Sequence, residues 1–110
     1  MASQSAQELN FRDATAAYRA GRFAEAEAAC RRVLDREPGN AQALGLLGLM
    51  CEQTNRPEEA LLLLRRAVEL EPGMASARNN LAAVLGRLGR HGEAAEELRE
   101  AIRLAPTNPE

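Results

Sequence analysis

The sequence predicts an all-α fold in which three antiparallel helix pairs stack into a short solenoid. Pro38, Pro72 and Pro106 follow one another at a constant interval of 34 residues. Small residues recur at matched positions between these prolines, and a Gly or an Asn recurs near the middle of each interval. A constant period of this length is typical of helical repeat proteins, in which each unit is one helix pair.

The prolines divide the chain of 110 residues into three units of equal length, 7–40, 41–74 and 75–108. Residues 1–6 are predicted to form a disordered N-terminal tail. Residues 109–110 are predicted to be a C-terminal tail or the start of a truncated further repeat. Positions within each unit are counted from 1 to 34.

Each unit is predicted to form a helix, a turn and a second helix. The fifteenth position holds Gly21, Asn55 and Gly89, residue types that tolerate the left-handed conformation just past a helix end. The second helix follows within a few residues, and Pro57 suits its first turn, where the missing N–H costs little. The proline at position 32 then ends the second helix and forces its predecessor out of the α region.

Small residues explain how the two helices of a unit pack. The eighth position holds Ala14, Gly48 and Ala82, and the twentieth holds alanine in every unit. These residues would let the two helices approach closely. Larger side chains then fill the space between units, because no helix pair buries its apolar faces alone; they are Leu47, Leu64, Leu81, Leu85 and Leu98.

Composition argues against several functions. The net charge is −2 and all basic residues are arginine, which gives no argument for nucleic acid and excludes a Schiff-base or P-loop lysine. The N-terminus lacks a secretory pattern, and the apolar stretches are too short to cross a bilayer. We therefore expect a cytoplasmic protein that is not an enzyme, with no cofactor, no bound metal and no membrane insertion.

The lone histidine and the two cysteines each have two interpretations. His91 could be a general base or a metal ligand, but a turn residue packed where Phe23 and Pro57 sit in the other units is favoured. Cys30 and Cys51 could be a redox pair, but small buried thiols are favoured. A disulfide under oxidation stays open at this point.

The pattern resembles the tetratricopeptide repeat family, which carries small residues at positions 8, 20 and 27 and proline at position 32. The second unit matches with Gly48, Ala60, Ala67 and Pro72, and the third with Ala82, Ala94, Ala101 and Pro106. The first unit departs from the pattern at Asn10 and Asp13. The resemblance implies a right-handed superhelix whose concave groove binds a protein or peptide.

The resemblance assigns the second, fifth, sixth, ninth, twelfth and thirteenth positions of each unit to the groove. The candidate groove residues are Phe11, Arg12, Thr15, Tyr18, Arg19, Leu49, Glu52, Gln53, Asn79, Asn80, Ala83 and Arg87. The remaining groove positions hold Glu8, Gln42, Gly45, Leu46, Ser76 and Gly86.

Two known versions of this groove fit poorly. One grips the terminal carboxylates of chaperone tails with Lys, Asn and Arg, and its positions here hold Phe11, Thr15, Leu46, Ser76 and Asn80. The other, found in glycosyltransferases that modify Ser and Thr, lines the groove with Asn. Among the groove positions that carry these Asn residues, only one holds Asn here, at Asn80.

Phe11 and Tyr18 share one helix face and have two interpretations. They either pack within the first unit or anchor a bound segment, with Arg19 and Arg87 recognising an acidic group. Three functions remain open: a module that binds a peptide or helix of a partner, a substrate-recognition or regulatory fragment of a larger enzyme such as a glycosyltransferase, and a self-assembling scaffold. Self-association would use an apolar stripe on the last helix, formed by Leu98, Ala101 and Ile102.

Overall fold

The computed structural model describes the backbone of residues 2–104 and the side chains of residues 11–104. All regular structure in this part of the chain is helical. The helices are α1 (Ala2–Arg19), α2 (Phe23–Arg36), α3 (Ala41–Gln53), α4 (Pro57–Leu70), α5 (Ala75–Arg87) and α6 (His91–Leu104). The predicted all-α architecture of three helix pairs is confirmed. Pro106 and residues 109–110 lie outside the described residues.

The first helix starts earlier than predicted. It begins at Ala2 and therefore includes residues 2–6, which were expected to be a disordered tail. Residues 2–10 contain no Pro or Gly and are rich in Ala, Gln, Glu and Leu. Nothing in this stretch opposes helical backbone geometry, so the helix continues toward the N-terminus.

The turn inside each pair has the predicted geometry. Gly21, Asn55 and Gly89 have φ of 80°, 64° and 81°. In each turn, the next amide donates to a carbonyl five residues earlier: Arg22 to Ala17 at 2.8 Å, Arg56 to Cys51 at 2.7 Å and Arg90 to Leu85 at 2.8 Å. This left-handed closure satisfies a carbonyl at the end of the first helix and reverses the chain into the second.

The joints between pairs also follow the sequence. Glu37 and Glu71, the residues before Pro38 and Pro72, end α2 and α4 with φ of −131° and −134°, outside the α region. At the first joint, the side chain of Asn40 accepts a hydrogen bond from the Ala43 amide at 2.9 Å and caps α3.

The cores of the molecule lie between successive helices, and each joins neighbouring units. One cluster contains Ala14, Cys30, Leu47 and Met50, and so joins the first unit to α3. Another contains Cys51, Leu64, Leu81, Val84 and Leu85, and joins the second unit to the third. A smaller one contains Leu44, Ala67 and Ala77. Because each unit completes its neighbour's core, the pairs form a solenoid rather than a closed bundle.

Both cysteines are free and fully buried. Loss of solvation raises the pKa of the Cys30 thiol to about 11, and the nearby Glu27 carboxylate adds to this effect. Loss of solvation likewise raises the pKa of Cys51, with a further contribution from Glu59. The thiolate, which is the reactive form, is therefore disfavoured at both positions.

We expect the native chain to react slowly with thiol reagents. At about pH 8, a thiol with the raised pKa of Cys30 is about one part in a thousand thiolate, whereas an unfolded cysteine is about a quarter ionised. Alkylation by iodoacetamide should be at least about 100-fold slower in the native chain than in guanidinium. Equal rates in the two states would show that the thiols are not buried.

Candidate functional site

A groove lies between the first helices of the three pairs. It has a volume of about 570 Å³. Helix α3 forms its floor and contacts α5 directly, and α1 closes one side. Its lining residues are Phe11, Thr15, Gln42, Gly45, Leu46, Leu49, Glu71, Gly73, Met74, Ser76, Ala77 and Asn80. We call this the inner groove.

The absence of a side chain at Gly45 keeps the inner groove open. Gly45 is buried in the middle of α3, and a Cβ there would lie 3.7 Å from the sulfur of Met74. A single methyl group therefore fits in ordinary contact, whereas a longer side chain would extend into the groove. Leu46 and Leu49 lie on the same helix and remain half-buried. Unlike fully packed core residues, they are accessible to a ligand.

The groove wall carries little charge. Among its lining residues, Glu71 is the only ionised side chain, and Gln42, Thr15, Ser76 and Asn80 supply neutral hydrogen-bonding groups. Met74, Leu46 and Leu49 supply apolar surface. This combination suits a site for an apolar side chain flanked by polypeptide backbone, because uncharged polar groups can bond the backbone on either side.

Four of the predicted groove residues line the inner groove: Phe11, Thr15, Leu49 and Asn80. Four others are exposed outside this pocket: Arg12 and Arg19 on α1, and Asn79 and Ala83 on α5. The Thr15 hydroxyl donates to the Phe11 carbonyl at 3.0 Å, within its own helix.

The remaining four predicted residues form two hydrogen-bonded pairs, Tyr18 with Gln53 and Arg87 with Glu52. The Tyr18 hydroxyl donates to Gln53 Oε1 at 3.2 Å, and the Tyr18 ring stacks on Phe23 with centroids 5.4 Å apart. Arg87 Nη1 lies 3.1 Å from a carboxylate oxygen of Glu52, and it also donates to the Glu52 carbonyl at 2.6 Å.

Arg87 is engaged by groups of the chain itself. Its other terminal nitrogen donates to Asn55 Oδ1 at 2.9 Å, so its guanidinium ties the end of α5 to the turn after α3. Helical spacing along α5 predicts that Arg87 lies on the groove face. It does not predict which carboxylate of the preceding unit Arg87 contacts.

Four lining residues were missed: Glu71, Gly73, Met74 and Ala77. They belong to the joint before α5 and to the first turn of that helix. The sequence predicts that Pro72 ends the second helix of its unit, and the segment that follows lies against α3, the first helix of that unit. That connection was the available signal for this end of the groove.

The predicted self-association stripe is only partly exposed. Leu98 and Ile102 are 44% and 64% exposed, whereas Ala101 is 3% exposed. Ala101 occupies the twenty-seventh position, which is buried in every unit, since the equivalent Val33 and Ala67 are 3% and 0% exposed. The stripe therefore consists of Leu98 and Ile102.

His91 is exposed as the first residue of α6, which differs from the packed turn residue that was favoured. In the first unit, the equivalent Phe23 stacks on Tyr18. The residue equivalent to Tyr18 in the third unit is Gly86, which offers no side chain for His91 to contact.

Neither a metal site nor a membrane span is found within the described residues. Their His, Cys, Asp and Glu side chains form no group of three or more that could hold a metal ion. No helix among α1–α6 is both long enough and apolar enough to cross a bilayer.

The family model described as Tetratricopeptide repeat matches residues 11–75 and 55–109, which together cover most of the chain. A comparison with curated protein sequences found no significant match. Among solved structures, a mutant O-GlcNAc transferase of Thermobaculum terrenum is 38% identical, with a TM-score of 0.92. The match covers 94% of this chain and 20% of that one, so the chain spans about a fifth of the transferase.

Two further structures share the fold at lower identity. The TPR domain of Arabidopsis OM64 is 20% identical, with a TM-score of 0.88, over 96% of this chain and 87% of that one. The first TPR domain of Spaghetti (RPAP3), bound to the HSP90 peptide SRMEEVD, is 17% identical, with a TM-score of 0.87. That match covers 94% of this chain and 82% of the other.

Proposed function

The chain belongs to the tetratricopeptide repeat family, and we propose that its inner groove binds a peptide or helix of a partner protein. The observation that supports this most is the composition of the groove. It is lined by half-buried apolar side chains and neutral hydrogen-bonding groups, and it is open to solvent along α1, α3 and α5. A partner would place one large apolar side chain between Leu46, Leu49 and Met74.

The proposed ligand differs from an acidic chaperone tail. No basic side chain is among the described residues that line the groove, and the one charged residue among them is Glu71. A ligand with several carboxylates would lose solvation without gaining a charged partner. We propose instead a neutral or basic segment, since Glu71 is available at the joint before α5 to pair with a cation.

A second function is favoured by the similarity to the transferase. The chain is 38% identical to about a fifth of that protein. A substrate-recognition or regulatory segment of a larger enzyme, such as a glycosyltransferase, would use the same groove. Sequencing the reading frame on both sides of the 110 residues separates the two functions, because only the second requires a catalytic domain in the same protein.

We further propose that the chain itself is not catalytic and acts in the cytoplasm. The sequence holds one histidine and no lysine, so a nucleophile, its base and an orienting group are hard to assemble from it. An absence of turnover in the purified chain with candidate substrates, together with retained peptide binding, is the expected result.

Selection from a library of random short peptides tests the groove. We expect the selected peptides to share one large apolar residue. Leu49→Asp should weaken their binding at least about 10-fold by placing a charge against that residue. Gly45→Leu should have a similar effect by filling the groove. The matched control is Leu62→Asp, because Leu62 is 72% exposed on α4, away from the groove.

Circular dichroism should show unchanged helix content in all three variants. Peptides that bind Leu49→Asp and Gly45→Leu as tightly as the parent chain would exclude the inner groove as their site. Loss of binding in Leu62→Asp alone would move the site to the outer surface.

A further inference from the structure

Two ion pairs recur in the structure at an interval of one unit. Arg31 Nη2 lies 2.8 Å from Glu59 Oε2, and Arg65 Nη2 lies 3.0 Å from Glu93 Oε1. Each joins the arginine at position 25 of one unit to the glutamate at position 19 of the next. The same glutamates also pair with the arginine at position 16 of their own unit, at 3.7 Å for Arg56 and 2.8 Å for Arg90.

At each end of the described stack, one member of this ion pair lacks the partner that its equivalents have between units. Glu25 occupies position 19 of the first unit, and within residues 11–104 its one ion pair is the long 3.8 Å contact with Arg22 of its own unit. Arg99 occupies position 25 of the third unit, and no carboxylate of the described residues lies within 4.0 Å of it. One end thus offers the acceptor and the other offers the donor of a contact that the structure makes twice internally.

The apolar residues beside Arg99 are exposed, whereas their equivalents in the second unit are covered by the next helix pair. Leu98 and Ile102 are exposed on α6, on either side of Arg99. Their equivalents in the second unit are Leu64, which is fully buried, and Val68, which packs against the same core. In that unit the covering surface is the following helix pair, including Leu81 and Leu85 of α5. We call Leu98, Arg99 and Ile102 the α6 ridge. The second unit therefore shows that a helix pair of this chain can cover a ridge of this kind.

The Glu25 end carries a groove. It has a volume of about 580 Å³ and lies between α1 and α2; it is lined by alanines and by the charged residues Asp13, Arg22, Glu25 and Arg32. The α1–α2 surface of the first unit is equivalent to the α5–α6 surface of the third unit, and α4 packs against that surface. Ala16 and Ala17 stand where the second unit has Met50 and Cys51 and the third has Val84 and Leu85, which leaves room for large side chains to enter.

We propose that copies of this chain associate head to tail, with α6 of one copy seated in the α1–α2 groove of the next and Arg99 paired with Glu25 of the partner copy. The contact joins two different surfaces and leaves one of each free, so it adds further copies, as an open chain or a closed ring, rather than closing as a two-fold dimer. This assembly is independent of peptide binding in the inner groove.

A second copy is the occupant that the recurring ion pair favours. The groove wall carries Asp13 and Glu25 together with Arg22 and Arg32, so the complementarity lies in the specific pair of Arg99 with Glu25 rather than in net charge, and both partners of that pair belong to the same chain. Charge complementarity of this kind determines register and selects the partner more than it adds affinity, so the apolar ridge must supply most of the binding.

Sedimentation velocity of the purified chain over a range of concentrations tests the assembly. We expect a series of species of rising mass as concentration increases. Ile102→Asp should reduce association by at least about 100-fold, because it places a charge in the centre of the contact. Leu62→Asp is the matched control and should associate like the parent chain, since Leu62 is exposed but lies on the middle unit.

Charge reversal distinguishes the proposed register from non-specific apolar association. Arg99→Glu and Glu25→Arg should each weaken association about 5- to 10-fold at low salt, because each places like charges together. A 1:1 mixture of the two variants should restore association, since alternating copies pair Glu with Arg at every contact. Both variants should bind groove-selected peptides normally.

A monomeric chain at every concentration would overturn the proposal and assign the α6 face to a further helical repeat or to another protein. Association that survives Ile102→Asp would overturn it as well. Association in which the mixed variants behave like each variant alone would contradict the proposed register.

Discussion

Replacing Gly48 by alanine is expected to lower the free energy of unfolding by about 1–2 kcal/mol, even though alanine is the better helix former. A Cβ at Gly48 would lie 2.6 Å from Cγ of Leu64 and 3.0 Å from its Cδ2. Leu64 cannot withdraw, because it is fully buried and packs between α3 and α5. The added methyl group must therefore push α3 and α4 apart.

The matched control is Gly86→Ala, on α5. A Cβ at Gly86 meets no atom within 4 Å, so this variant should be stabilised by about 0.5–1 kcal/mol through helix propensity alone. Urea unfolding followed by circular dichroism measures both variants. Equal stabilisation of the two would contradict the close approach of α3 and α4.

The first unit suggests how the Gly48 defect can be relieved. There, Ala14 stands in the place of Gly48 and the smaller Cys30 in the place of Leu64. The double variant Gly48→Ala/Leu64→Cys should be more stable than the sum of the single effects predicts, by about 1 kcal/mol. Simple additivity would show that the two positions do not compete for the same space.

Replacing Glu27 by glutamine is expected to destabilise the protein by about 1–2 kcal/mol at neutral pH. Its carboxylate accepts from Arg56 Nη2 at 2.7 Å, from Arg56 Nη1 at 3.0 Å and from Arg31 at 2.9 Å. These bonds tie α2 to the turn before α4. The side chain is 22% exposed, so solvent screens the pairs only in part.

The Glu27 contribution should depend on pH. The Arg56 hydrogen bonds, followed by those of Arg31, lower the pKa of Glu27 from 4.5 to about 2 in the folded chain. Its stabilisation is thus complete above about pH 5 and is lost as pH falls toward about 2. The difference in unfolding free energy between the parent chain and Glu27→Gln should shrink over that range.

Glu69→Gln serves as the control for Glu27→Gln. Glu69 is exposed on α4, and no arginine of residues 11–104 lies within 4.0 Å of it. Its replacement should change stability by less than about 0.5 kcal/mol. A difference between Glu27→Gln and the parent chain that stays constant down to pH 2 would show that the carboxylate is not held in its ionised form.

The sequence was sufficient for the features that depend on local chemistry. Gly21, Asn55 and Gly89 adopt the left-handed turns that their residue types predict, and Pro57 begins α4. Each of these features depends only on neighbouring residues of one unit, and the left-handed turn recurs in all three units.

Features that depend on the stacking of units were harder to predict. Helical spacing put Arg87 on the inner face, but only the stacked structure brings it to Glu52 and Asn55. The joint residue Met74 lines the groove beside α3, where a Cβ at Gly45 would lie 3.7 Å from its sulfur. Periodicity assigns a residue to a helix face, whereas the side chains it meets across units depend on the relative position of two helices.

Methyl NMR with a library-selected peptide tests most directly whether the inner groove holds a segment of a partner protein. We expect the methyl resonances of Leu46, Leu49 and Met74 to shift on titration and to show contacts to one apolar side chain of the peptide. Shifts confined to exposed methyl groups away from the groove, such as those of Leu62 and Leu70, would contradict it.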